Sequence, residues 1–251
     1  MVSPRPHVPG TTSAADLERA MLAQASPKDA AILMHFFKTG PGQYGEGDKF
    51  LGIRNPATRR TAKAFRDLPV DEAVRAAGSP WHEIRLCSLL ILANRYKNRK
   101  TTEEERAGIF ERYAELARRG RINNWDLVDL TAPDIVGAYA FAHGVESLER
   151  FAASGNLWEE RIAVLAMFPF IRAGQTEIPF RMVDRFLPHS HDLMHKACGW
   201  MLREIGKRDR AALTDYLLHK KAVMSRTTLR YAIEHYPEPE RKAFLTRDKM
   251  S

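Results

Sequence analysis

Cysteine is nearly absent from this chain: Cys87 and Cys198 are the only two among 251 residues, and both sit inside apolar helical patterns. Such a pair builds no disulfide framework and suits buried, reduced thiols in a reducing compartment. Long hydrophobic runs are missing too. The longest, such as Leu89-Leu90-Ile91-Leu92-Ala93, fall far short of the roughly 20 residues that a helix needs to cross a bilayer, so no membrane span is expected. The first thirteen residues are rich in Pro, Ser, Thr and Gly and lack the apolar core of a secretory signal. They read as a flexible leader, 1–13, ahead of a single domain, 14–251, in a cytoplasmic protein. Acidic residues are in deficit, with 31 Asp and Glu against 39 Lys and Arg, a formal net charge of +8. An excess of cations favours polyanionic partners, nucleic acid or an anionic membrane surface. With 44% hydrophobic and 28% charged residues, the rest of the composition is that of an ordinary globular protein with a core.

No segment alternates with the period of a strand, whereas almost everything past the leader reads with helical period. Ala14 to Gln24 and Pro27 to Phe37 form a first pair of helices, with Ser26 placed to cap the second ahead of Pro27. The glycines from Gly40 to Asp48 resemble a phosphate cradle but lack both a preceding strand and a Lys-Ser/Thr ending. They read as a surface loop, flanked by Lys38 and Lys49, which could approach a phosphate backbone. Glu103-Glu104-Glu105-Arg106 is a helix start with charge that suits its N-terminus. His191 and His195 have the spacing of a helical zinc site. However, Asp192 stands where that motif needs Glu, and His191 falls at a helix start, so no metal is expected.

The remainder behaves as a repeat array. Arg85, Arg161, Lys196 and Arg226 each stand near the opening of a helix, followed by small and apolar residues. Arg161 and Lys196 are 35 residues apart, Lys196 and Arg226 are 30, and Arg85 precedes Arg161 by 76, about two such units. Periods of this size, two helices each, mark an all-α solenoid. Stacked repeats set equivalent positions in a row, so these cations should line one surface. A concave basic groove of that kind can follow a duplex backbone. A cation at a helix N-terminus opposes the macrodipole, so local structure gives little reason for the pattern.

Three segments carry side chains suited to chemistry. Trp125 and Asp129, four apart in Asn123-Asn124-Trp125-Asp126-Leu127-Val128-Asp129, share a helix face, while the neighbouring carboxylate Asp126 points away from the indole. Trp158 and Arg161 share another face, and Trp200 follows Gly199 in a later helix. An aromatic slot with an anion and a cation at its rim suits a positively charged ligand attached to a phosphate backbone.

With Phe50-Leu51-Gly52-Ile53, and with Lys196 through Glu204 around Trp200, these segments resemble DNA alkylation repair proteins of the AlkD type, a family of HEAT-like-repeat DNA glycosylases. Weaker similarity continues through Ser225 to Ala232, so roughly four fifths of the chain is covered. The resemblance implies a superhelical array of antiparallel HEAT-like repeats. It also implies hydrolysis of the N-glycosidic bond of cationic alkylpurines, 3-methyladenine and 7-methylguanine, in duplex DNA. On the same resemblance the damaged base would stay in the stack instead of being extruded, which is the usual practice. Asp129 would stabilise the oxocarbenium-like sugar and orient water. Trp125 and Trp200 would stack on the deoxyribose, with cation–π attraction of about 0.5–2 kcal/mol each. Arg161 would grip a flanking phosphate with paired hydrogen bonds. Arg85, Lys196, Arg226, Arg230 and Arg54 complete the expected DNA contacts. No lyase lysine is evident, so an abasic product is expected, with no cofactor, from a monomer that associates with the nucleoid when bound.

Arg54 departs from family members that carry a neutral amide there; a cation could tighten the grip on DNA or repel a cationic base. Two rival readings keep the fold and change the function: a non-catalytic module that binds DNA structures, and a protein–protein scaffold. Salt-sensitive duplex binding separates the scaffold from the other two, and turnover separates the enzyme from the module.

Overall fold

The computed structural model describes residues 13–246; residues 1–12, which make up almost all of the expected leader, lie outside the described residues. The chain divides into two compact units, Met1–Ile135 and Val136–Ser251. Apart from a single isolated bridge between Lys49 and Trp81, the regular structure among the described residues is helical. The fold is an all-α helical repeat array.

In the first unit the helices are α1 (Ala14–Leu22), α2 (Pro27–Phe36), α3 (Asn55–Ala64) and α4 (Val70–Ala76), followed by α5 (His82–Lys97), α6 (Glu103–Arg118) and α7 (Trp125–Asp129). Their starts follow from local chemistry. Ser13, Ser26 and Thr102 each accept a hydrogen bond from the backbone N–H three residues on, and each cap is followed by acidic residues in the first turn. Helix α5 is the centre of the unit. It is buried almost all round, including Ile84, Leu86, Leu89 and Ile91, and packs on α3 and α4. A helix that is buried on nearly every side belongs in the middle of a core.

The segment before α3 is fixed by a different device. Glu83, buried at the start of α5, accepts the N–H groups of Leu51, Gly52 and Ile53 at 2.8, 2.8 and 3.1 Å. Gly52 has φ +86°, and a Cβ there would stand 2.1 Å from the Ser26 carbonyl oxygen. Only glycine lets this segment pass so close to the start of α2.

The second unit holds α8 (Ala138–His143), α9 (Glu149–Ala152), α10 (Leu157–Leu165), α11 (Phe168–Arg172) and α12 (Glu177–Phe186). After these come α13 (Asp192–Gly206), α14 (Arg210–Lys220), α15 (Arg226–Ala232) and α16 (Glu238–Leu245). Helix α13 is its hub, packed against α10, α12, α14 and α15. A Cβ at Gly199 would meet the Tyr231 Cβ at 2.5 Å and the Thr228 carbonyl oxygen at 2.6 Å, so this glycine permits the close approach of α13 and α15.

Candidate functional site

Helix α7 is one turn long, and its two ends face differently from its middle. Asp126, Leu127 and Val128 are buried, whereas Trp125 and Asp129 are partly exposed. The i, i+4 relation therefore puts Trp125 and Asp129 on the same face of the helix. Asn124 caps the helix by accepting the Trp125 N–H at 2.9 Å. Phe37 stacks on the indole at 5.2 Å and 23°, and Phe36 meets it edge-on at 6.0 Å and 70°. Behind Phe37 the rings continue, with Phe50 at 5.0 Å and His82 stacked on Phe50 at 4.4 Å. The indole is thus braced by a column of rings, while Phe36 remains 59% exposed beside it.

A buried ionic chain holds α7 to α5. Asp126 pairs with one ring nitrogen of His82 at 2.9 Å, and Asp48 pairs with the other at 2.8 Å. Asp48 also takes a hydrogen bond from Arg85 at 2.7 Å. Burial alone would lower the pKa of His82, but the two carboxylates, Asp126 foremost, outweigh it and hold the ring at about 9. Burial likewise works to raise Asp48, and His82 and Arg85 overcome it to keep that carboxyl below its ordinary range. Asp126, the rival carboxylate, is therefore spent on structure. Residues Phe36, Phe37, His82 and Asp48 were not legible as parts of this site. An aromatic pair at a helix end was the one signal in the sequence.

Arg85 corrects an expectation. It is 3% exposed, not part of an open basic surface. Its guanidinium donates to Asp48, to Asn123 Oδ1 and to the carbonyls of Ser79, Pro80 and Arg121. The planar group carries five donors and can be buried when all are met, which is how this one is used. Arg54 is exposed and precedes α3, where it pairs with Asp29 of α2 at 2.7 Å. The bond from Arg54, with a second from Ser26, holds the Asp29 carboxyl below its usual range. In the Gly40–Asp48 loop, a Cβ at Gly45 would stand 2.4 Å from the Phe37 carbonyl oxygen, so part of this loop packs inward.

In the second unit, Trp200 is partly exposed; its N–H donates to Glu204 at 3.1 Å and its ring meets Phe168 edge-on at 5.2 Å. Arg161 is a further correction. It is 4% exposed and donates to the Leu193 carbonyl, which ties α10 to the first turn of α13. A side chain so covered is a strut between helices, not the open end of a phosphate clamp. Lys196 pairs with Asp192 at 2.8 Å and is about 40% exposed, while Arg226 and Arg230 are exposed on α15. The register differs from the expected one. Lys196 is the fifth residue of α13 and Arg161 the fifth of α10, but Arg226 is the first of α15. Arg230, the fifth, is their counterpart.

The histidines here are engaged with the backbone. His191 caps α13 by accepting the Leu193 N–H at 3.1 Å, and His195 donates to the His189 carbonyl. Among the described residues, no group of three or more His, Cys, Asp or Glu could hold a metal ion. Burial pushes the thiols of Cys87 and Cys198 up to about 12, well away from a nucleophile's range. No helix among the described residues is long and apolar enough to cross a membrane.

An all-helical repeat array that presents a braced indole beside a carboxylate defines a class that sequence comparison specifies further. The profile of the family described as DNA alkylation repair enzyme matches residues 17–236, and the chain belongs to that family. A solved structure described as a predicted DNA alkylation repair enzyme from Enterococcus faecalis shares the fold, with a TM-score of 0.65 and 17% identity. The match covers 86% of this chain and 98% of that one. No curated protein sequence matches the chain.

Proposed function

We propose that the protein is a monofunctional DNA glycosylase that hydrolyses the N-glycosidic bond of cationic alkylpurines, 3-methyladenine and 7-methylguanine, in duplex DNA. The observation that carries this reading is the division of labour between two carboxylates on α7. Asp126 is buried on His82, whereas Asp129 is partly exposed on the same face as Trp125.

Alkylation of a ring nitrogen gives the purine a formal positive charge, and its departure with the glycosidic electron pair neutralises that charge. No strong acid is needed to protonate the leaving group. The sugar becomes cationic at C1′, and Asp129 offsets that charge and orients a water whose oxygen bonds to C1′. The water's surplus proton passes to Asp129 or to solvent, and an abasic site remains. Trp125 supplies a stacking face for the deoxyribose and, with Phe36 edge-on to it at 70°, an aromatic corner. Exposed Arg54, Lys196, Arg226 and Arg230 bind phosphates.

Release of free base from a duplex carrying one 7-methylguanine tests the reading. Under single-turnover conditions, Asp129→Asn is expected to slow release by about 100-fold or more, with duplex affinity unchanged. Wild-type protein that binds duplex but releases no base would overturn the glycosylase in favour of a non-catalytic DNA-binding module.

A further inference from the structure

The candidate site uses the N-terminal end of α5; the other end of that helix borders an open groove that no catalytic role requires. Arg59, Lys63 and Arg66 line it from the side of α3, and Leu90, Asn94 and Arg95 from α5, around a cavity of about 480 Å³. The groove also contains one acid, Asp67, which pairs with Arg66 at 3.3 Å. Arg95 is paired with Glu105 at 2.7 Å. Arg59 and Lys63 are exposed and have no ion-pair partner among the described residues. We infer that this groove is a second phosphate-binding surface, which takes the backbone of a nucleic-acid strand away from the reacting nucleotide.

Three observations converge on it. The first is register. Arg59 is the fifth residue of α3, the position that Lys196 holds in α13 and Arg230 in α15. Those two also line a groove between neighbouring helices, α13 and α15. The second is charge. In the α13–α15 groove Asp192 and Glu234 sit among the cations, and Asp192 pairs with Lys196. The α3–α5 groove sets four cations against one acid. Such a groove concentrates positive potential, and its apolar floor strengthens the field.

The third is shape. At 1.5 Å per residue, Lys63 lies about 6 Å along α3 from Arg59, and Arg66 follows just past the end of the helix. A row of that length fits successive phosphates of a strand better than one compact anion. The macrodipole favours a cation at Lys63, in the last turn of α3, but gives no reason for Arg59 in mid-helix. His82 and Asn94 are about 18 Å apart along α5, so this surface should affect affinity and not chemistry.

The inference rests on the reading of the protein as a DNA-binding one, but not on its catalysis. Its test is the salt dependence of binding to an undamaged duplex, comparing wild type with the triple variant Arg59→Gln, Lys63→Gln, Arg66→Gln. All three side chains are exposed, and an unchanged thermal melt would establish that the variant folds. Each lost phosphate contact should make the slope of log K against log salt shallower by about 0.9. A change of about 2 to 3 is expected for the triple variant and about 0.9 for Arg59→Gln alone, with saturated single-turnover base release unchanged. An unchanged slope in the triple variant would overturn the inference whether or not base is released. Displacement of inorganic pyrophosphate from the wild type but not the variant, with the duplex slope unaffected, would overturn it in favour of a small phosphate ligand. Failure of base release alone, with the slope shifted as expected, would leave the groove standing and remove only the glycosylase.

Discussion

The two units place their tryptophans by opposite means. In the first, α7 is held to α5 through buried charge: Asp126, His82, Asp48 and Arg85 in succession. In the second, α13 carries Trp200 past α15 on a steric device, the missing Cβ of Gly199. Buried charge gives directional positioning that depends on every partner remaining in its protonation state. Close apolar approach gives a contact that contains no titrating group and that a single methyl group can spoil.

The largest effect should come from removing the link itself. His82→Ala leaves Asp126 buried without its ionic partner and Asp48 with Arg85 alone, and a loss of about 3–5 kcal/mol in urea unfolding is expected. A loss below about 1 kcal/mol would mean that the chain of charges is ornamental and the contrast false. The same link predicts a pH response. The folded His82 pKa is raised from 6.5 to about 9, so its contribution is complete below pH 6.5 and is lost as pH rises toward 9. The second unit should respond in the other direction. Burial, then the neighbouring His189, lowers the pKa of His191, so that group's contribution is present above pH 6.5 and is lost on acidification. Unfolding followed by probes local to each unit would reveal the opposite slopes; parallel slopes would break the comparison.

Gly199→Ala comes next. The added carbon meets backbone and a Cβ on α15 rather than a flexible tip, so a cost of about 1–3 kcal/mol is expected in thermal melts. A neutral result would show that α13 and α15 are free to separate. The smallest effect belongs to the surface. Lys196→Gln should change stability by no more than about 0.5 kcal/mol, while the salt slope of duplex binding becomes shallower by about 0.9. A stability loss of several kcal/mol would instead make Lys196 a strut like Arg161.

What was legible in the sequence was what local chemistry governs. Ser26 caps α2 ahead of Pro27, Glu103 opens α6, His191 falls at the start of α13, and Trp125 and Asp129 share a face of α7. Spacing within one turn of helix fixes each of these. The side chain of Asp126 was legible only as turned from the indole; that it meets His82, 44 residues earlier, was not. Charge alone also cannot separate a surface arginine from a buried one. Arg85 and Arg161 fit the pattern of a basic row, yet both are enclosed, because the carbonyls and carboxylates that satisfy them come from other helices and loops. The 30-residue spacing sets Arg226 level with Lys196, but the cap at Ser225 moves that place to Arg230.

The carboxylate of Glu83 also turns three amide protons into a clock. Leu51, Gly52 and Ile53 lie outside any helix, where backbone protons ordinarily trade with deuterium quickly, yet all three are held by one buried side chain on α5. Their exchange should slow together and be released together, at the rate at which the first turn of α5 lets go of the strip before α3. Three adjacent residues thus time a single opening event, without a label, in the part of the protein that carries Trp125.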